Sequence, residues 1–169
     1  MEFPEVYEEF FARIYSYIRC RIGADAAAED ISSAVFQKAL ARFEQYNPAR
    51  GNMAQWLFGI ARNEVNSCLR KAAILKFFPL DLFGDIFPGE SGRDPGTGDT
   101  GGDIAELVSA LGMLEPRERD MITLKFYSEM TNREIAAVTG LSESNVGTIL
   151  YRCMAKLRKQ LTGENYDAP

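Results

Sequence analysis

The chain has 169 residues, 46% apolar and 25% charged, with a formal net charge of −5 and no histidine. That length suits one ordinary domain or two small ones, and the composition belongs to a folded soluble protein rather than a disordered one. No apolar run approaches the roughly 18 residues of a membrane span, and the acidic start MEFPEVYEEFF lacks the basic-then-apolar order of a secretory signal.

Without histidine the usual general base, the commonest metal ligand and the Ser-His-Asp triad are all missing. No GxxxxGK[ST] phosphate loop or GxGxxG turn occurs either. No catalytic residue, metal or cofactor is therefore expected. The three cysteines, Cys20, Cys68 and Cys153, are odd in number, form no CxxC pair and sit inside helical patterns. They read as buried free thiols in a reducing, cytoplasmic compartment.

The pattern is helical almost throughout. Val6, Phe10, Ile14, Tyr17 and Ile18 recur at three- and four-residue steps and predict a first amphipathic helix over Val6–Ile22. GADAAAED leads into a second, through Ile31, Val35, Phe36, Ala39, Leu40 and Phe43. QYNPARGN holds Pro48 and Gly51 and turns the chain. A third stripe follows: Met53, Trp56, Leu57, Ile60, Ala61, Val65 and Leu69, with Trp56, Leu57 and Ile60 expected in the core.

Composition then changes. Pro79 to Gly112 carries seven acidic residues against one basic, Arg93, and so holds a charge of −6. The flanks together are left at +1, so the low pI belongs to this segment and not to the folded parts. Gly and Pro crowd PGESGRDPGTGDTGGD, and Gly84–Gly102 reads as a flexible tether. The expectation is an all-α protein of two small helical domains, 1–78 and 106–165, joined by an acidic Gly/Pro-rich linker over 79–105.

About four helical segments follow, starting near Asp103. Pro116 fits a first helical turn, and Thr131 with Glu134 is spaced as a capping box. Gly140 stops that helix. Ser142 caps the next, whose buried stripe is Val146, Ile149, Leu150, Cys153, Leu157 and Leu161. TNREIAAVTGLSESNVGTILYR is thus a helix-turn-helix. A bare helical corner explains the small Ala136, the Gly140 turn and the Val146–Ile149 filling equally well. The opposite face favours DNA: Ser144, Gly147, Thr148, Tyr151 and Arg152, then Lys156, Arg158 and Lys159. Small polar groups at the start of a helix suit base edges, and later cations suit phosphates. Those last cations also suit the helix dipole. With so few cations this domain needs a second anchor on the same DNA, or a partner.

Three stretches, in order, resemble the bacterial sigma factors, specifically the two-domain extracytoplasmic-function type of the sigma-70 family. AEDISSAVFQKALARF resembles the helix that grips the polymerase clamp, MAQWLFGIARNEVNSCLRK the −10 element reader, and LGMLEPRERDMITLKFY with TNREIAAVTGLSESNVGTILYRCMAKLRKQL the −35 domain. The resemblance covers nearly the whole chain. It implies core RNA polymerase and promoter DNA as partners, an anti-sigma protein as regulator, and no stable membrane insertion. It assigns Glu29, Asp30, Ser33, Phe36 and Gln37 to polymerase. Tyr46, Asn47, Arg50, Asn52, Arg62, Asn63, Asn66, Ser67, Arg70 and Lys71 fall to the −10 element, where unstacked bases want aromatic and amide partners beside a few cations. Ser144, Asn145, Gly147, Thr148, Tyr151, Arg152 and Lys156 fall to the −35 element.

The chain departs from that pattern at Ser33-Ala34, where the family usually has Gln-Glu, and at Gly147, Ile149 and Met154, where basic residues are common. Two other readings stay open. One is a sigma-like mimic that titrates an anti-sigma protein; the other is a polymerase-independent helix-turn-helix repressor, for which no dimer face is evident.

Overall fold

The computed structural model describes residues 2–23, 25–75 and 110–162. Among them all regular structure is helical, as the periodicity requires. Helix α1 (Phe3–Ile22) opens on a capping box in which the Glu2 N–H donates to Glu5 Oε2 at 2.8 Å. Helix α2 (Asp25–Ala41) follows after a short turn. Two single 3₁₀ turns, Phe43–Gln45 and Pro48–Arg50, lead into α3 (Met53–Leu75). The tether proposed over Gly84–Gly102 lies outside the described residues.

The chain resumes at the end of a helical turn before α4 (Pro116–Ser128), with Pro116 in its first turn. Helix α5 (Asn132–Thr139) begins with the expected box: Thr131 Oγ1 accepts from the Glu134 N–H, and Glu134 Oε2 accepts from the Thr131 N–H at 2.8 Å. Gly140 ends it at φ 73°, a left-handed conformation that a Cβ would strain. Ser142 Oγ then accepts from the Asn145 N–H at 3.2 Å, opening α6 (Glu143–Thr162).

Helices α1, α2 and α3 pack on one another as one block, and α4, α5 and α6 as a second. The blocks do not stand apart. Helices α1 and α3 also pack against α4, and α3 against α5. Tyr17, Phe58, Leu57 and Val65 from the first block join Met121, Leu124, Ile135 and Val146 from the second in a single buried cluster.

The helical stripes are placed as their spacing predicts, with three exceptions. Leu40 is 58% exposed and Leu161 43% exposed, each at the solvent end of its stripe, and Phe43 belongs to a 3₁₀ turn rather than to α2. Leu57 is fully buried, while Trp56 and Ile60 lie half-buried against the core. Cys153 is buried, and burial pushes its thiol up to about 11. Cys20 and Cys68 are free and half-buried.

Leu57→Ala should cost about 2–5 kcal/mol, read from urea unfolding, because the lost methyls leave a void in a dense core. Hydrogen bonds from the Thr131 N–H and hydroxyl hold the Glu134 carboxyl below the ordinary 4.5, and Lys156 does the same for Glu118. A carboxyl depressed in the folded state stabilises above its unfolded value and ceases to do so as pH falls through the folded one. The urea midpoint should therefore drop on acidification below about pH 4.5. The variant carrying Glu118→Gln and Glu134→Gln should show a flatter profile in that range.

Candidate nucleic-acid interface

Two surfaces carry the residues assigned to DNA. The first is the loop before α3 and one side of that helix. Tyr46 leans on Trp56, ring centroids 5.4 Å apart, and its hydroxyl donates to the Gly51 carbonyl at 3.2 Å. Asn47 Oδ1 accepts from the Ala49 N–H at 2.9 Å, which sets the second 3₁₀ turn. Asn52 caps α3: its Oδ1 accepts from the Gln55 N–H, and Gln55 Oε1 accepts from the Asn52 N–H, both at 2.8 Å. Its Nδ2 then donates across to Glu134 Oε1 of α5 at 2.7 Å. Arg50 is exposed at the loop tip.

Along α3, Asn63, Asn66, Ser67 and Arg70 are spaced at three- and four-residue steps and share a face. Asn63, Arg70 and Lys71 are exposed, whereas Asn66 and Ser67 are half-buried. Arg62 faces the second block, whereas Asn66 is held by Arg21 of α1. Arg62 Nε donates to Asp120 Oδ2 at 2.8 Å, and Asn66 Oδ1 accepts from Arg21 Nη2 at 3.1 Å.

Asp120 is the centre of that junction. It is 3% exposed, accepts from the Tyr17 hydroxyl and from Arg62 Nε, both at 2.8 Å, and forms an ion pair with Arg21 Nη1 at 2.6 Å. Burial, with the Asp120 charge adding to it, drives the Tyr17 phenol well above its ordinary range, so it stays a donor. Removing one member of such a buried group leaves the others desolvated and unmatched, at a cost on the order of 3–5 kcal/mol. The sequence reading did not find Arg21 or Asp120. Arg21 falls on the buried stripe of α1 four residues after Tyr17, and a cation on an apolar stripe demands a buried partner.

The second surface is the outer face of α6. Ser144, Asn145, Thr148, Tyr151 and Arg152 are all exposed, and Tyr151 stands 58% free of cover. Thr148 turns its hydroxyl back to the Ser144 carbonyl at 3.0 Å. Gly147 is half-buried, and a Cβ there would meet only Asn132 Nδ2 at 3.6 Å, an ordinary contact. Nothing in the fold demands glycine at that position. Lys156 is held by Glu118 of α4, Nζ to Oε1 at 2.6 Å.

Four of the five residues assigned to polymerase line a groove of about 330 Å³ between α1 and α2. Glu29, Ser33 and Gln37 stand exposed on its wall and Phe36 lies at its floor, 5% exposed. Asp30 is exposed on the same helix but does not line the groove. The rest of the lining was missed from the sequence: Tyr7, 4.8 Å from the Phe36 ring, Phe11, and the exposed Leu40. Tyr7 and Phe11 lie off the buried stripe of α1, and two exposed aromatics one turn apart were the available signal.

Comparison with known proteins agrees with this geometry. Residues 6–74 match the model of Sigma-70 region 2, and residues 104–157 that of Sigma-70 region 4. The chain is 27% identical over 159 residues to the ECF RNA polymerase sigma factor BldN of Streptomyces coelicolor, covering 94% of this chain and 60% of that protein. It is 27% identical over 164 residues to the ECF RNA polymerase sigma factor RpoE of Cereibacter sphaeroides, covering 95% and 86%. Among solved structures, the sigma factor RpoE of Bartonella quintana, crystallised with the anti-sigma factor NepR, shares the fold at a TM-score of 0.77 and 22% identity, over 95% of this chain and 96% of that one. No described helix is long and apolar enough to cross a membrane. With both sigma-70 regions present, in order and on a matching fold, the chain belongs to the sigma-70 family as an extracytoplasmic-function sigma factor, a non-catalytic class of transcription initiation factor.

Proposed function

We propose that this chain binds core RNA polymerase in the cytoplasm and directs it to a particular promoter set, with no chemistry of its own. The observation that carries this reading is the joint match to both family regions on one chain, with the outer face of α6 open to solvent beyond a capped turn. Residues 1–78 take the polymerase clamp and the −10 element, and residues 106–165 the −35 element, with 79–105 linking them. Glu29, Asp30, Ser33, Phe36 and Gln37 contact polymerase, Tyr7 and Phe11 extending that surface. The loop Tyr46–Asn52 and Arg62, Asn63, Asn66, Ser67, Arg70 and Lys71 capture the unpaired −10 strand. Ser144, Asn145, Thr148, Tyr151, Arg152 and Lys156 read the −35 duplex, with Gly147 leaving the groove floor bare.

An anti-sigma protein is the regulator in this reading. Its support is similarity: two solved sigma factors of this fold were captured with one, RpoE with NepR and CnrH with CnrY. A sigma-like mimic remains the second reading, favoured by Ser33-Ala34 and by Gly147, where contact groups common in the family are absent.

Transcription with core polymerase over a random promoter library decides between them. The sigma reading expects transcripts whose templates share two spaced motifs. No initiation, combined with tight binding to an anti-sigma protein, favours the mimic. Gly147→Lys serves as a second test. It should stabilise α6 by up to about 1 kcal/mol, since glycine is a poor helix former. It should also tighten binding to the selected −35 duplex and steepen the salt dependence by about one counterion. An unchanged salt slope would place position 147 away from the phosphates.

A further inference from the structure

We infer that Asn132 of α5 reads the −35 duplex across the gap that Gly147 leaves in α6, its carboxamide meeting the major-groove edge of an adenine. The inference deepens the sigma reading and rests on it for the DNA. The placement of Asn132 rests on geometry alone.

Residues three and four apart on a helix share a side, so Gly147 stands between Ser144 and Tyr151, both exposed. Glycine puts no side chain there, yet Gly147 is half-buried. What approaches it is the Asn132 side chain: Nδ2 lies 3.6 Å from the point where a Cβ of residue 147 would stand. Outside α6, no other atom of the described residues comes within 4 Å of that point. Asn132 opens α5 and is itself half-buried, so its amide end leans over the bare backbone without being sealed from solvent. Thr131 and Glu134 cap that helix, and no described residue hydrogen-bonds the Asn132 carboxamide. Asn47, Asn52 and Asn66, by contrast, each spend theirs on the protein.

An uncommitted carboxamide holds a donor and an acceptor side by side, the pattern that matches N6 and N7 of adenine. In a helix-turn-helix the N-terminal part of the second helix reaches base edges. Gly147 lies in that part, because α6 starts at Glu143. The side chain over it is thus placed where bases are read, although it comes from the preceding helix. Thr148, the next residue, gives its hydroxyl proton to the Ser144 carbonyl at 3.0 Å and so does not offer that donor to DNA. A longer side chain at 147 would fill the space that Asn132 overhangs. The two positions are therefore alternatives, and here the contact group is supplied across the turn.

The test is initiation by the full chain with core polymerase on templates randomised at each −35 position in turn. Circular dichroism and urea unfolding check that every variant keeps its fold. Wild type should prefer adenine at one −35 position. Asn132→Ala should lose that preference by about fivefold or more, the worth of one good bidentate contact, with the other positions unchanged. Asn132→Asp keeps the size and removes the donor, and should move the preference toward cytosine, whose amino group a carboxylate accepts from. In a Gly147→Lys background the effect of Asn132→Ala should shrink, since residues that share a space are not additive. A merely structural Asn132 would move none of these base preferences. No adenine preference in the wild type, an unchanged motif in Asn132→Ala, or an equal fall on every −35 sequence would overturn the inference and leave the sigma reading standing. A wild type that initiates on no template sinks the sigma reading and this inference with it.

Discussion

A buried carboxylate decides how this molecule is put together. Asp120 has lost nearly all contact with water and recovers that solvation from one phenol and two guanidinium groups. Such an arrangement is poor at adding stability, because desolvation offsets most of the Coulombic gain. It is demanding about geometry. Arg21 and Tyr17 come from α1, Arg62 from α3 and Asp120 from α4, so a small shift of one block strands a charge. Apolar packing alone would tolerate sliding; this cluster does not.

The same constraint explains the allocation of polar side chains. Arg21 satisfies Asp120 with one nitrogen and Asn66 with another. Arg13 completes the end of α4, where Glu129 takes a left-handed turn at φ 57° and leaves the Tyr127 and Ser128 carbonyls pointing outward. No buried side-chain nitrogen or oxygen among the described residues lacks a partner. The junction is satisfied to the standard of a protein interior, although it joins two blocks that each hold their own helical core.

Much of this was legible in the sequence. The capping box at Thr131 and Glu134, the stop at Gly140 and the cap at Ser142 are local chemistry, set by residues within four positions of each other. They appear as the spacing requires. The buried faces of α1 and α3 are likewise period-3.6 patterns that need no partner to be recognised. Leu40 and Leu161 mark where that reasoning stops: an apolar residue at a stripe's edge is buried only if another element covers it, and none among the described residues does. The residues assigned to DNA and polymerase came from ordered motif resemblance, and the structure places several of them in structural roles as well. Asn47 sets a turn, Asn52 caps a helix and Lys156 pairs with Glu118.

The sequence by itself determined the helices, their caps, the two-block order and the family, because each depends on near neighbours or on a motif read in line. Only the tertiary structure decided that Arg21, Arg62 and Asp120 meet, residues 21, 62 and 120 along the chain. It alone decided that the aromatics of α1 and Phe36 of α2 form one groove. A charge in a helical pattern announces that it needs a partner but carries no address for it. That address is fixed by how whole helices pack, and packing is a sum over the chain that no local spacing contains.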